Sequence, residues 1–239
     1  MRESSGKAVA SVYGQREKLG VMEAAFVNAI ASNLLDYDDT HLRTVIHPSA
    51  PVAPAVFALA EEAFSGLDIL VNVAGVTLMG TIEEMSVETW DKTMAINLRS
   101  CFLGCQGAIK LMKNRGGGAI INMASVSAFR PQAELVAYNA SKAGVDMMTK
   151  SVALHCARSG YDIRVNSINP GVIQTDMLRK VISQVEDGEA LMDSYKAMHP
   201  IGRIGEPKDI AAMALYLVGE EASFITGASF TVDGALMNN

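Results

Sequence analysis

From residue 66 onward the chain alternates short apolar runs, rich in β-branched residues, with longer helical stretches, and glycine or proline brackets the short runs. "DILVNVAG" (68–75), "GGGAIINMAS" (116–125), "IRVNSINPG" (163–171) and "SFTVDG" (229–234) are the short runs. Continuous apolarity of this kind marks strands buried on both faces, which parallel sheets require. Between them, helices are predicted over about 87–113, over 137–160 with Gly160 as the stop, and over 206–219 with Pro207 in the first turn. Strand–helix alternation at this spacing leads to one architecture, an α/β doubly wound parallel sheet of Rossmann-like form. Five strands are expected over 66–239, and residues 1–65 form an atypical, shortened N-terminal half.

Within that frame, Tyr138 and Lys142 stand four apart on one helix and share a face. A free phenol releases its proton only near pH 10. A neighbouring ammonium favours the phenolate and brings proton exchange toward neutrality. Ser125 ends the preceding strand run, at the carboxyl edge of the sheet where α/β folds bind ligands. Many surface helices carry a Tyr-x-x-x-Lys pair, so the pair alone is weak; its neighbours give it meaning.

Those neighbours are "NVAG" (72–75), "AINL" (95–98), "INMAS" (121–125), "YNASK" (138–142), "NPGVIQTDM" (169–177) and "ITGASFTVDGA" (225–235). In this order and spacing they resemble the short-chain dehydrogenase/reductase family over about residues 58–239. The resemblance implies an oxidoreductase that interconverts a secondary alcohol and a ketone with NAD or NADP. It implies Tyr138 as general acid/base and a cofactor contact, and Lys142 as the cation that favours the phenolate and holds the nicotinamide ribose. Ser125 would position the substrate oxygen, and Asn97 would kink its helix and hold a water in a proton relay. Val73, Ala74 and Gly75 would meet the adenosine side of the cofactor; Pro170, Gly171, Ile173 and Thr175 would meet the nicotinamide. Val73 stands where the family more often has a second asparagine; main-chain contacts survive that change, a side-chain hydrogen bond does not. Residues 178–204 fall at the family's substrate lid. With Met177 before them, Leu178, Met192, Tyr195 and Met198 suggest an apolar substrate, or equally a lid that packs its own helices. The resemblance also implies a homodimer or homotetramer formed through the long helices, where Met94, Leu98, Phe102, Cys105 and Ile109 form an apolar stripe.

The N-terminus departs from this pattern. "KAVASV" (7–12) is a plausible strand, "VMEAAFVNAIASNLL" (21–35) and "APAVFALAEEAF" (53–64) read as helices, and "LRTVIHP" (42–48) could be a strand. The family's glycine-rich turn is represented by Gly14 and Gly20, but Tyr13 and Lys18 stand where a threonine and the middle glycine are expected. Lys18 would crowd a pyrophosphate at that turn. Asp36 and Asp38 follow at the interval of a ribose-binding acid. A parallel pairing of residues 8–12 with 69–73 is expected, bringing Gly14 beside Gly75 and partly rebuilding the cofactor crevice.

A second resemblance covers residues 24–61. "LDYDDTH" (35–41) and "HPSAP" (47–51) are similar to the MmgE/PrpD family, which includes 2-methylcitrate dehydratase and cis-aconitate decarboxylase. It implies that Asp36, Thr40 and His47 fall on substrate-site positions for a small polycarboxylate. By residue type Asp36, Asp38, His41 and His47 could meet a metal, but no closed ligand set can be drawn, and no metal is expected. The chain thus reads as two families joined near 58–65. Three functions compete: the dehydrogenase, a non-catalytic or cofactor-impaired oligomer of the same fold, and a lyase acting on a polycarboxylate.

Composition narrows the partners. The net charge of −6 argues against nucleic acid. No apolar run approaches the roughly 20 residues that span a bilayer, and no signal-peptide pattern opens the chain. Cys101, Cys105 and Cys156 make no disulfide framework and suit buried, reduced thiols in the cytoplasm.

Overall fold

The computed structural model describes residues 66–239 except Gln184, together with the backbone of residues 10–11 and 18–19. In chain order the elements are β1 (Ala10–Ser11), β2 (Lys18–Leu19), β3 (Ile69–Asn72), α1 (Val87–Met94), α2 (Ser100–Met112), β4 (Gly118–Met123), α3 (Val136–Arg158), β5 (Ile163–Pro170), α4 (Asp176–Ser183), α5 (Gly188–Ala197), α6 (Pro207–Val218) and β6 (Ser229–Val232). A π-helical segment, Ala95–Arg99, joins α1 to α2 without a break.

The main sheet runs β3-β4-β5-β6, with every pair parallel. Four strands, not five, make up the sheet among the described residues. The four are the runs marked by the sequence, and the stretch between β5 and α6 folds as the helices α4 and α5.

Alternate strand residues feed two cores. Ile120, Ala124 and Val165 pack with Cys101, Cys105, Ala108 and Met112 of α2 and with Val145, Ala153 and Cys156 of α3. Ile121 and Ile168 face the other way, onto Ile210, Ala214 and Leu217 of α6. Consecutive residues of β4 therefore serve opposite faces, as the two-residue side-chain period demands. All three cysteines are free and buried.

Capping positions the helices. Ser86 accepts from the Thr89 N–H at 3.1 Å and starts α1. At α6, Pro207 occupies the first turn and the Asp209 carboxylate accepts from the Glu206 N–H at 2.9 Å. Arg203 bonds the same carboxylate and, with the Glu206 N–H, holds its pKa at about 2. The last carbonyls of α6, left unpaired by helix geometry, are met by one guanidinium: Arg164 reaches Leu217, Val218 and Gly219.

The N-terminal expectation is overturned. Ala10 lies opposite Leu19 and Ser11 opposite Lys18, in an antiparallel pair separate from the main sheet. Ala10 and Ser11 thus do not pair with 69–73, the rest of 8–12 and Gly14 lie outside the described residues, and among the described residues β3 has a strand neighbour on one side only. Lys18 stands in strand β2, not in a tight turn. Chain entropy favours this local pairing, since closing a loop of about 60 residues costs ~2 kcal/mol more than closing a short one. The helices expected at 21–35 and 53–64, the strand at 42–48, and Asp36, Asp38, Thr40, His41 and His47 lie outside the described residues.

The stripe from Met94 to Ile109 faces the sheet in part, as its place in the fold requires. Cys105 is buried, and Leu98 and Ile109 pack against the core, while Phe102 is exposed. α2 must cover the sheet, so most of its apolar positions turn inward.

Candidate active site

The carboxyl edge of the main sheet gathers the end of β3, the end of β4, the first turn of α3 and the loop after β5. Ser125 lies two residues beyond β4 in extended backbone, and its hydroxyl accepts from the Ser127 N–H at 3.1 Å. That bond caps a short 3-10 turn, Val126–Ala128, and leaves the hydroxyl proton free to be donated. Tyr138 sits in the first turn of α3 with its ring half-buried. Its hydroxyl has no protein hydrogen-bond partner among the described residues.

Lys142 follows one turn later and is 4% exposed. Its ammonium donates to the Met123 carbonyl at 2.8 Å and lies 5.6 Å from the centre of the Tyr138 ring. No carboxylate pairs with it among the described residues. The main-chain carbonyl at the end of β4 thus fixes the cation under the phenol without neutralising it.

Asn97 lies within the π-helical segment and is 2% exposed. A π turn inserts one extra residue into a helix and re-aims the side chains around it. Here the amide meets the loop after β3 twice, accepting from the Val76 N–H at 2.8 Å and donating to the Val76 carbonyl at 2.9 Å. It also donates to the Ser141 hydroxyl at 3.0 Å, which in turn donates to the Tyr138 carbonyl at 2.8 Å. Asn97 therefore ties Val76 to the first turn of α3. The helix is not broken at Asn97; the π segment absorbs the distortion that a kink was expected to supply.

Gly75 completes this corner. A Cβ there would stand 3.4 Å from both the Lys142 ammonium and the Asn97 amide oxygen, so glycine leaves the ammonium open toward the crevice. Val73 and Ala74 lie in the same loop after β3, Ala74 exposed. Across the edge, Pro170 ends β5 and the Gly171 N–H donates to the Val232 carbonyl at 3.1 Å. Ile173 bridges to Gly205, and the Thr175 hydroxyl accepts from the Leu178 N–H at 3.4 Å at the start of α4. The Thr77 hydroxyl touches the Met177 sulfur at 3.2 Å, joining the two sides of the crevice. Of the expected apolar lid residues, Leu178 is buried and Met177 is exposed. Burial pushes the Tyr195 phenol up.

Ser125, Tyr138, Lys142 and Asn97 are thus brought to one edge, with Gly75 beside them. Two residues went unread in the sequence. Ser141 links Asn97 to the backbone of Tyr138, and only its position one helical turn after Tyr138 hinted at it. His199 is buried against the loop after β5, and a lone histidine between methionine and proline carries no sequence signal.

Comparison with known proteins gives two family matches. A family model described as enoyl-(acyl carrier protein) reductase matches residues 49–236, and one described as the MmgE/PrpD N-terminal domain matches residues 1–86. The chain is 41% identical over 196 residues to an NADP-dependent (R)-specific alcohol dehydrogenase of Lentilactobacillus kefiri, covering 81% of this chain and 76% of that protein. It is 39% identical over 234 residues to a D-threitol dehydrogenase of Mycolicibacterium smegmatis, covering 96% of this chain and 87% of that protein. A 3-beta-hydroxysteroid dehydrogenase of Comamonas testosteroni is 37% identical over 182 residues, covering 76% and 71%.

Proposed function

Because the chain belongs to the short-chain dehydrogenase/reductase family, we propose that it interconverts a secondary alcohol and a ketone, with NAD or NADP as hydride carrier and Tyr138 as the proton-exchanging group. One observation carries the reading: the unneutralised Lys142 ammonium, held by the Met123 carbonyl, lies under the Tyr138 ring, whose hydroxyl faces no protein partner among the described residues.

The nicotinamide, when bound, supplies or accepts the hydride. The remaining work falls to side chains. Ser125 donates to the substrate oxygen and orients it beside the phenol. Tyr138 gives its proton to that oxygen as charge develops, and takes one back in the reverse direction. Lys142 stabilises the phenolate left behind and offers its free N–H groups to the ribose. Asn97 holds the Val76 backbone and, through Ser141, the first turn of α3, so that phenol, ammonium and crevice floor keep one geometry. Glycine at 75 puts no side chain against the Lys142 ammonium, where the ribose would meet it. Pyrophosphate and adenosine would need residues before 66. Exposed Met177, held against Thr77 beside the site, supports an apolar substrate. Cytoplasmic residence remains part of the proposal; no helix among the described residues is long and apolar enough to cross a membrane.

A second reading is favoured by one specific observation. β1 pairs with β2, and β3 has one strand neighbour among the described residues, so the expected parallel strand beside β3 is missing there. On that reading the fold is kept and dinucleotide binding is impaired. Calorimetric titration with NADH and NADPH separates the two, backed by the fluorescence of the single tryptophan, Trp90. The dehydrogenase reading expects saturable binding of at least one of them and turnover of a secondary alcohol or ketone. Absence of binding by both would overturn it in favour of the second. The polycarboxylate lyase rests on residues 24–61 alone and expects dehydration or decarboxylation without dinucleotide.

We also propose association as a dimer or tetramer. Phe102 of α2 and Met147 and Leu154 of α3 are exposed apolar side chains on the long helices. Sedimentation at micromolar concentration is expected to show at least a dimer; a monomer would refute the proposal.

A further inference from the structure

The loop after β5 is held by main-chain bonds on three sides. Gly171 N–H reaches Val232, Gly205 N–H reaches the Val172 carbonyl at 2.8 Å, and Gln174 N–H reaches the Gly205 carbonyl at 2.9 Å. The Val172 backbone donor is met by a side chain. The Val172 N–H donates to His199 Nε2 at 3.2 Å. The other ring nitrogen, Nδ1, lies 2.6 Å from the Tyr195 carbonyl in the last turns of α5. A carbonyl only accepts and an N–H only donates, so these partners select the neutral ring with its proton on Nδ1.

The slot around the ring is built for it. His199 is 2% exposed. A Cβ at Gly171 would come within 2.9 Å of Nε2, and one at Gly234 within 3.6 Å of Cδ2. The ends of β5 and β6 thus present glycines to the imidazole, and α5 closes the third side. Among the described residues no other side chain bonds the backbone of residues 171–174.

We propose that His199 is a positioning residue that ties the loop 171–175 to α5, so that the cofactor-side loop and the lid helix hold one relative geometry. The functional part rests on the dehydrogenase reading, in which this loop meets the nicotinamide. His199 touches none of Ser125, Tyr138 or Lys142 through its hydrogen bonds, so it acts on binding geometry and not on proton transfer.

Two variants divide the ring's bonds. His199→Asn keeps a donor that can reach the Tyr195 carbonyl but lacks an acceptor at the Nε2 position. His199→Gln restores an oxygen at that distance. Amide hydrogen exchange of residues 172–174, read on the chain without dinucleotide, should speed up roughly 10-fold in the Asn variant and stay near the parent rate in the Gln variant, as expected for loss of one backbone hydrogen bond. With substrates present, the dinucleotide KM of the Asn variant should rise roughly 10-fold while kcat changes by less than about 2-fold, the signature of a binding rather than a chemical defect. Imidazole nitrogen NMR of the unsubstituted protein should show a protonated Nδ1 and a bare Nε2. Unchanged exchange in the Asn variant, equal loss in both variants, or the opposite tautomer would overturn the proposal. A parent without turnover would instead defeat the dehydrogenase reading, and the exchange and NMR results would still decide whether His199 ties the loop.

Discussion

Replacing Tyr138 with phenylalanine is expected to lower kcat for ketone reduction by at least ~100-fold, the usual contribution of a positioned general acid. On the proposed mechanism the phenol hands the proton to the developing alkoxide, while Ser125 orients the substrate oxygen and Lys142 serves the phenolate and the ribose. The fold should not respond. The Tyr138 hydroxyl has no protein partner among the described residues, and the ties of this turn run through its main chain, from Ser141 to the Tyr138 carbonyl and from Asn97 to Ser141. Dinucleotide affinity should stay near that of the parent, since Lys142 and Gly75 are untouched. Steady-state kinetics with a responsive ketone, beside a thermal melt and a dinucleotide titration, reads all three quantities. A Tyr138→Phe protein with parental turnover would remove Tyr138 from the mechanism.

The second large effect concerns stability. Asp146 of α3 is buried, and its carboxylate accepts from Ser167 of β5 at 2.7 Å, from Ser229 of β6 at 2.5 Å and from the Lys150 ammonium at 2.7 Å. One side chain thus fastens a helix to the two C-terminal strands. Burial pushes the carboxyl up, but the hydrogen bonds from Lys150, Ser229 and Ser167 together outweigh it and hold the group below its ordinary value of 3.8. A carboxyl with a lowered folded-state pKa stabilises the fold fully above the unfolded value, near 3.9, and loses that contribution as pH falls through the lowered one. Asp146→Ala should therefore cost about 2–3 kcal/mol near neutrality, because two buried hydroxyls lose their shared charged acceptor. For a chain of this size that is a fall in Tm of roughly 5–10 °C. The gap between parent and variant should narrow as pH falls below the ordinary carboxylate value of 3.8 and through the lowered one, where the parent carboxylate takes up its proton. Calorimetric melts across that range check both parts. A gap that persists undiminished in acid would show that the loss is one of packing and not of the ionised carboxylate.

The two predictions differ in how far the sequence foretold them. Tyr138 and Lys142 were readable because their relation is local: four residues apart on a helix means one face, whatever the rest of the chain does. Ser125 was readable because a buried strand that ends in small residues delivers its last side chain to the sheet edge. Asp146 was not readable, since an aspartate on a helix of mixed character is ordinarily solvated, and its partners lie on β5 and β6. The same holds for Asn72, which donates to Asn122 at 2.8 Å, and for Asn122, which donates to Thr149 at 2.9 Å. The pairing of Ala10 and Ser11 with β2 instead of β3 belongs here too. A strand pattern announces that a segment pairs, and the partner is chosen by what the chain brings near it first.

By itself, then, the sequence determined the quantities that repeat over a few residues: the strand and helix periods, the caps, the parallel α/β class, and the shared helix face of Tyr138 and Lys142. Hydrophobic periodicity acts through burial, and burial needs only a face, not a named partner. Only the tertiary structure decided which polar groups meet. Asn97 found Val76 and Ser141, Lys142 found the Met123 carbonyl, and His199 found the Val172 amide. A hydrogen bond is short and directional, and these partners are separated by many residues of chain. Their meeting depends on how the packed layers settle to within a fraction of an ångström.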